Sequence, residues 1–294
     1  MKQEIKTFWF IINPKSGTKL KNGVEFLIIK ILNEANRIQN IKVEIKITTH
    51  SNHATELARE AVNQKIDVVV AVGGDGTVNE VGKGLLNSET IMAIIPLGSG
   101  NGLARHLGVP MNILEATKRV FAYEKQRIDG GKISQIPFFC TAGLGFDAEV
   151  AGQFAKQNSR GLVTYIWLSI LAFFRFKNQT YEINNLHKTL FTLTFANASQ
   201  YGNNAYIAPN AIIDDGLLEV CQCKPYPAWR SLEMVYRLFA GSIDKSKYLS
   251  IFQTESVQIK TSAPPLIHYD GESIQLDTRD FVVEIMPKCL WVIC

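Results

Sequence analysis

Three short segments combine glycines with polar side chains in a way that suits phosphate binding. They are Asn13–Gly17, Gly73–Thr77 and Pro96–Gly102. Glycines let backbone N–H groups approach an anion closely, and a helix that begins after such a loop adds a favourable dipole. Asp75, set among three glycines, would face a metal ion or the transferred group. An ordinary tight turn needs one glycine, so the three around Asp75 favour phosphate binding.

None of the three segments matches the Walker A pattern or the dinucleotide pattern G-x-G-x-x-G. P-loop ATPases and nicotinamide dehydrogenases are therefore disfavoured. The phosphate site that the glycines indicate is of another kind.

Each glycine segment follows a run that is typical of a buried strand. The expected strands are Thr7–Ile12, Ile41–Thr48, Asp67–Val72 and Ile91–Ile95. Between and after them, apolar residues recur at helical spacing over 24–38, 54–62 and 78–86. Alternation of strands and helices, with near-continuous apolar strands such as Val68–Val72, predicts a parallel sheet covered on both faces, with ligands at the carboxyl ends of the strands. We expect an α/β N-terminal domain over residues 1–128.

After Ile128 the pattern becomes β-rich, which predicts a second domain over residues 129–294. The last strand is a candidate for return to the first domain. The expected strands are Pro137–Thr141, Leu190–Asn197, Leu217–Gln222, Val257–Lys260 and Phe281–Met286. Helical patterns interrupt them at Arg160–Lys177 and Pro227–Gly241. The first of these is apolar around nearly its whole circumference, which suits either a buried helix or one lying over a lipid entrance.

Composition limits the classes of partner and compartment. The 31 basic and 27 acidic residues leave a net charge of +4, too small and scattered for a nucleic-acid footprint, so no nucleic acid is expected. Five cysteines without a C-x-x-C pair indicate a reducing compartment. The run Phe8–Ile12 is too short for a signal peptide, and Leu162–Phe174 is too short to span a bilayer. We expect a cytoplasmic protein that associates peripherally with membranes.

Taken together, Asn13–Gly17, Gly73–Thr77 and Gly98–Asn101 resemble the diacylglycerol kinase catalytic-domain family, which includes bacterial lipid kinases and sphingosine kinases. Later segments in the same order extend the resemblance along the chain: Gly143–Ala148, Ile207–Pro209, Asp214–Leu218 and Asp270–Glu272. The resemblance implies transfer of the γ-phosphate of ATP to a lipid hydroxyl. It also implies an NAD kinase-like α/β nucleotide domain and a β-sandwich-like lipid domain.

The resemblance also assigns roles to individual residues. It implies that Asp75 acts on a catalytic magnesium ion, directly or through water, and that Glu272 is the general base. Without the resemblance, Glu272 would be interpreted as an exposed turn acid. The residues implied to surround ATP are Asn13, Lys15, Ser16, Gly17, Thr48, Gly73, Gly74, Asp75, Gly76, Thr77, Asn79, Gly98, Ser99, Gly100 and Asn101.

Two further assignments each have an ordinary alternative. The resemblance implies a second magnesium ion held by Asp215 and by the backbone carbonyls of Ile212 and Leu217, whereas the local pattern alone indicates a hairpin turn. It implies that Asp147 contacts the lipid head group, whereas Asp147 could equally be the N-cap of a helix beginning near Ala148.

The acceptor and the reaction both have open alternatives. Bacterial diacylglycerol kinases usually have Asp where this chain has Gly102, so diacylglycerol and sphingoid lipids both stay open as acceptors. A nicotinamide dinucleotide kinase shares the Gly-Gly-Asp-Gly-Thr loop, but the second half of this chain lacks that family's Ser-Thr-Ala-Tyr-type run. A non-catalytic lipid-binding regulatory protein is the third alternative, and a homodimer is an option.

Overall fold

A computed structural model of the chain describes residues 6–16, 23–38, 40–155, 171–173 and 175–294. These residues form two compact units. The first contains the described residues up to Ile128 together with Lys288–Cys294, and the second is Asp129–Pro287.

The first unit is an α/β layer structure built on a parallel sheet in the order β2-β1-β3-β4. Strands β3 and β4 are fully apolar, and all six residues of each are buried, so both faces of the sheet are covered there. The elements are β1 (Lys6–Ile12), α1 (Gly23–Ala35), β2 (Ile41–Ile47), α2 (His53–Asn63), β3 (Val68–Gly73), α3 (Asp75–Leu85), β4 (Ile91–Pro96), α4 (Gly102–His106) and α5 (Ile113–Ala122).

The first unit receives one more strand from the far end of the sequence. Strand β16 (Asp280–Ile293) crosses from the second unit, and Val292 pairs in parallel with Met92 of β4. Leu290 and Val292 are buried. The backbone N–H of Cys294 also donates to the carbonyl of Glu124, at 3.1 Å. The sheet edge beyond β4 is therefore covered by residues that follow the entire second unit.

The second unit is mainly antiparallel. One sheet has the order β12-β11-β10-β7-β14-β15, and in the other β16 pairs β13, which is followed by β8 and β9. Their inner faces share a core that includes Leu144, Phe195, Val220 and Ile259. The elements are β5 (Lys125–Ile133, which begins in the first unit), β6 (Ile136–Phe138), β7 (Thr141–Gly145), α6 (Phe146–Ala155), β8 (Gln179–Ile183), β9 (Leu186–Leu190), β10 (Thr192–Ala196), β11 (Leu218–Cys223), α7 (Ser231–Phe239), β12 (Leu249–Thr254), β13 (Ser256–Lys260), β14 (Leu266–Tyr269) and β15 (Glu272–Gln275).

The predicted fold class, a parallel α/β layer followed by a β-rich sandwich-like part, is confirmed. Two predicted strands are wrong in detail. The run Pro137–Thr141 divides into β6 and β7, because Phe139 and Cys140 donate their N–H groups to a side chain. The run Leu190–Asn197 divides into β9 and β10 at Phe191, whose N–H donates to the carbonyl of Cys223.

The two helices predicted in the β-rich half have different outcomes. Most of Arg160–Lys177 lies outside the described residues; residues 171–173 and 175 are helical. Pro227–Gly241 contains a 3₁₀ turn at Ala228–Arg230, followed by α7. In the parts of the chain that the structure describes, no helix is both long and apolar enough to cross a membrane.

Candidate functional site

The first two glycine segments lie side by side at the carboxyl edge of the first unit's sheet. They follow β1 and β3, which are neighbours, so their loops meet. Asn13 Nδ2 donates to Thr77 Oγ1 at 3.1 Å, and Ser16 Oγ lies 3.3 Å from the same hydroxyl oxygen. Ser16 and Thr77 are buried, whereas Lys15 is exposed. Two hydroxyls and an amide therefore meet at the first turn of α3.

The third segment is joined to the second by the Asp75 carboxylate. Its Oδ1 accepts a hydrogen bond from the N–H of Gly102 at 2.7 Å, and its Oδ2 accepts one from Asn101 at 2.9 Å. The loops also pack closely, because a Cβ added at Gly98 would lie 2.8 Å from the Cα of Gly74. A side chain at Gly98 would force the two backbones apart. The three segments thus form one continuous loop surface.

The other residues predicted to surround ATP have varied positions in the first unit. Thr48 follows β2 and is buried, with its N–H donating to the carbonyl of Ile12 at 2.9 Å. Asn79 is buried within α3, and Ser99 is exposed at the tip of the third segment. Gly17 lies outside the described residues. The glycines of the set lie in the second and third loops: Gly73, Gly74, Gly76, Gly98 and Gly100.

This loop surface has the chemistry of an anion site. The first turn of a helix leaves backbone N–H groups without partners in the helix, and the helix dipole favours negative charge there. Asp75 supplies the carboxylate. Among the described residues no group of three or more His, Cys, Asp or Glu could hold a metal ion. A lone carboxylate fits Mg²⁺ bound together with a nucleotide, because Mg²⁺ takes one or two carboxylates and fills its remaining positions with phosphate oxygens and water.

Glu272 in the second unit follows a tight turn held by a buried acid. Asp270 and Gly271 have φ values of 45° and 85°, and β15 begins at Glu272, opposite Tyr269. The Asp270 carboxylate accepts hydrogen bonds from the N–H groups of Phe139 and Cys140, both at 2.8 Å, and of Thr141 at 3.1 Å. Glu272 itself is exposed. The sequence analysis did not identify this role of Asp270, although an Asp-Gly pair between strand-like runs is a recognisable turn signal.

Asp147 lies at the centre of a buried polar cluster. Helix α6 begins at Phe146, so Asp147 is inside its first turn and the alternative of an N-cap is wrong. Its Oδ2 accepts hydrogen bonds from the hydroxyls of Thr194, at 2.9 Å, and Tyr201. Burial, and secondarily the Asp147 charge, raises the pKa of Tyr201 well above its usual value, so that phenol stays a neutral donor.

A buried histidine lies beside this cluster. The ring of His268 packs edge-on to Tyr201, with 6.0 Å between ring centroids, and burial lowers its pKa. Its Nε2 has no hydrogen-bond partner among the described residues. Aromatic side chains adjoin Asp147 in the chain: Phe146 stacks on Phe191 at 4.5 Å. Asp147 is therefore a carboxylate held by hydroxyls next to an apolar cluster.

The residues predicted to hold a second metal ion share one turn before β11. Asp215 and Ile212 are exposed, and Asp215 Oδ1 accepts a hydrogen bond from the N–H of Leu217 at 3.0 Å. The turn is anchored from beneath, because Gly216 donates its N–H to Oδ2 of the fully buried Asp129 at 2.7 Å. Sequence reasoning missed Asp129, which precedes this turn by more than 80 positions and has no local pattern.

Two family models match consecutive parts of the chain. Residues 7–133 match the model of the diacylglycerol kinase catalytic domain. Residues 140–294 match that of the YegS C-terminal NAD kinase β-sandwich-like domain.

Relatives that match most of this chain agree with these two models. A "probable lipid kinase YegS-like" of Chromohalobacter salexigens is 27% identical, with 96% of this chain and 91% of the relative covered. An uncharacterized protein of Synechocystis is also 27% identical, with 97% and 69% covered. The crystal structure of a diacylglycerol kinase from Bacillus anthracis shares the fold, with a TM-score of 0.72, 20% identity, and 100% and 98% of the two chains covered. The resemblance drawn from the motifs is confirmed, and the chain belongs to the diacylglycerol kinase catalytic-domain family.

Proposed function

We propose that this kinase-family protein transfers the γ-phosphate of ATP to the hydroxyl of diacylglycerol or of a related or sphingoid lipid. The observation that best supports the proposal is the bridge from Asp75 to Asn101 and Gly102, which unites the glycine segments into one anion-binding surface. The lipid kinase names of relatives such as that of Chromohalobacter salexigens point to the same class of acceptor.

On the donor side, the first unit supplies groups that hold phosphate. The N–H groups of the first turn of α3 and the hydroxyls of Ser16 and Thr77 donate to phosphate oxygens of ATP. Asp75 would hold Mg²⁺, which when bound neutralises charge on the phosphate oxygens. The two backbone N–H groups that donate to the Asp75 carboxylate fix its orientation.

On the acceptor side, the second unit supplies a base and polar contacts for the lipid. Glu272 accepts the proton of the lipid hydroxyl while the hydroxyl oxygen forms a bond to the γ-phosphorus of ATP. The bond between that phosphorus and ADP breaks, and ADP leaves. Asp270 acts as a positioning residue by fixing the turn before Glu272. Asp147 hydrogen-bonds the lipid head group. The turn at Asp215 is the proposed second magnesium site, with the carbonyls of Ile212 and Leu217.

The proposal is tested by transfer of labelled γ-phosphate from MgATP to a panel of acceptors. The panel contains diacylglycerol, monoacylglycerol, a sphingoid base, ceramide and a nicotinamide dinucleotide. Asp75→Ala and Glu272→Gln should each reduce transfer by at least about a hundredfold, the usual contribution of such groups. Glu255→Gln, at an exposed glutamate in the turn between β12 and β13, is the matched control and should be unaffected.

Each outcome identifies one of the alternatives. Label in a lipid, lost in both variants, supports the proposal and names the acceptor. Label in the dinucleotide would assign the protein to dinucleotide kinases. Bound ATP without label in any acceptor would favour a regulatory lipid-binding protein.

A further inference from the structure

The segment Ala228–Phe239 in the second unit presents large apolar side chains to solvent. Trp229 is 70% exposed, Leu232 80% and Tyr236 71%. Their spacing of three and four residues places them along one face of the 3₁₀ turn and α7. We call Trp229, Leu232 and Tyr236 the outer face of this segment. Single exposed apolar residues are common, but three on one helix face form a patch of the kind that marks an interaction site.

The outer face is not needed for the fold of the second unit. The opposite side of α7 packs inward, where Met234 is buried and Leu238 contacts the same cluster. The helix is thus apolar on two sides, and only one is covered by the described residues. Among the described residues of this unit none covers the outer face, so covering it would gain hydrophobic free energy from a binding partner.

Charge around the outer face indicates the chemistry of what covers it. From Lys224 to Lys247 the chain has five cationic and two anionic side chains, a net charge of +3. The guanidinium of Arg230 lies 4.2 Å from the ring centroid of Trp229, and it also pairs with Glu233. Arg237 pairs with the same glutamate at 3.0 Å, which leaves this trio with an excess positive charge.

We propose that the outer face docks on an anionic membrane surface, an inference that rests on the proposed lipid kinase function. Tryptophan and tyrosine favour the boundary between hydrocarbon and headgroups, where an apolar ring and a polar edge are both satisfied. A short helix with leucine and tryptophan outward and arginines beside them is suited to lie in that boundary plane. The arginines meet lipid phosphates while Trp229 and Leu232 enter the acyl region.

A second copy of the chain fits this face less well. A symmetric dimer would place the same patch against itself, so Arg230 would approach its own counterpart. Repulsion between these cations would oppose that dimer, whereas the same charges favour an anionic bilayer.

The test is sedimentation of the full chain with vesicles that contain neither acceptor nor ATP. One set is phosphatidylcholine, and the other is equal parts phosphatidylcholine and phosphatidylglycerol. Wild type should bind the anionic set more tightly. Trp229→Glu/Leu232→Glu should weaken that binding by at least about tenfold, because each substitution removes apolar surface from the bilayer. Leu186→Glu, at a residue 62% exposed at the start of β9, is the matched control and should bind as wild type.

A charge variant tests the electrostatic part separately. Glu233→Gln removes the anion that neutralises Arg230 and Arg237, so it should increase binding to anionic vesicles by about fivefold and leave binding to neutral vesicles unchanged. Thermal unfolding of each variant checks that the fold is kept, which is expected because Trp229, Leu232 and Leu186 are exposed and Glu233 is partly exposed.

Three results would overturn the proposal: undiminished binding of the double variant, no binding of wild type to either vesicle, or a wild-type dimer that the double variant loses without any vesicle binding. Turnover of a short-chain acceptor dissolved as monomers should be the same in the double variant and wild type. If wild type binds vesicles through this face but phosphorylates no lipid, the docking surface holds and the proposed function fails.

Discussion

The carboxylate of Asp270 accepts a 2.8 Å hydrogen bond from the backbone N–H of Cys140, a residue 130 positions earlier in the chain. Through this bond and two beside it, the end of β14 is attached to the break between β6 and β7. Asp270 lies two residues before Glu272 in the chain. The position of Glu272 therefore depends on the hydrogen bonds of a buried aspartate.

Asp270→Asn should therefore affect both stability and activity. An amide has one acceptor oxygen and turns an NH₂ group toward backbone donors, so we expect a loss of about 3 kcal/mol in the free energy of unfolding. Urea unfolding measures this loss. In the folded fraction, kcat should fall while KM for ATP stays unchanged, since Asp270 belongs to the second unit and the three glycine segments to the first. Asp277→Asn, at an exposed residue, is the control. If Asp270→Asn were as stable as wild type, the carboxylate of Asp270 would not be what holds the turn before Glu272.

Alanine substitutions in the second and third glycine segments should weaken ATP binding to different degrees. A Cβ at Gly98 would lie 2.8 Å from Gly74 Cα and from Asn101 Oδ1, whereas a Cβ at Gly74 would approach Gly98 Cα only to 3.3 Å. We expect Gly98→Ala to weaken ATP binding by about tenfold or more and Gly74→Ala to weaken it less, because overpacking costs rise steeply with overlap. Calorimetric titration with ATP measures both. A larger loss of ATP affinity in Gly74→Ala than in Gly98→Ala would contradict the idea that close packing of the two segments maintains the site.

The turn at Asp215 offers a test of the second magnesium site. Asp215→Asn keeps an oxygen that can accept from the Leu217 N–H, so the melting temperature should stay within about 1 °C of wild type. If Asp215 binds magnesium, the Mg²⁺ concentration for half-maximal activity should rise, because the variant loses a charged ligand. Asp214→Asn, at the adjacent exposed acid, is the matched control. Identical magnesium dependence in the two variants would remove Asp215 from the site.

Acid should destabilise the protein through His268. Burial lowers the pKa of its imidazole, so below the ordinary value of about 6.5 the unfolded chain binds a proton that the folded protein does not. Stability that is present above about pH 6.5 is therefore lost as the pH falls toward the lower folded-state pKa, by up to about 1.4 kcal/mol per pH unit. The nearby Asp147 charge raises the pKa of His268, against the effect of burial. It therefore narrows the pH range over which this stability is lost.

Urea unfolding at several pH values measures the dependence. In His268→Leu, which also removes the unpartnered Nε2, the free energy of unfolding should depend less steeply on pH below pH 6.5. The decrease in slope should correspond to the uptake of up to one proton fewer on unfolding. His187→Leu, at an exposed histidine, should keep the slope of wild type. Equal slopes in wild type and His268→Leu would exclude His268 as the source.

What could be predicted from the sequence follows from how local each signal is. The strand before Gly73 was recognisable because a continuous run of β-branched residues needs no knowledge of its neighbours. The bridge from Asp75 to Asn101 spans 26 positions, and only the adjacency of β3 and β4 brings those residues together. Asp270 and Asp129 act on backbone groups more than 80 positions away, so no periodicity or spacing could indicate their roles. The catalytic roles of Asp75 and Glu272 stay predictions.

Strand β16 has a consequence for folding of the protein during its synthesis on the ribosome. Val292 must reach Met92, which lies 200 positions earlier in the chain, and Asn87 donates its N–H to the carbonyl of Cys289 at the same edge. Because translation proceeds from the N-terminus, most of the first unit emerges first but waits for its last strand until all of Asp129–Pro287 has been made. During that interval the open edge of β4 is a hazard for self-association. The nascent chain is expected to require shielding by a chaperone until residues 288–293 are released.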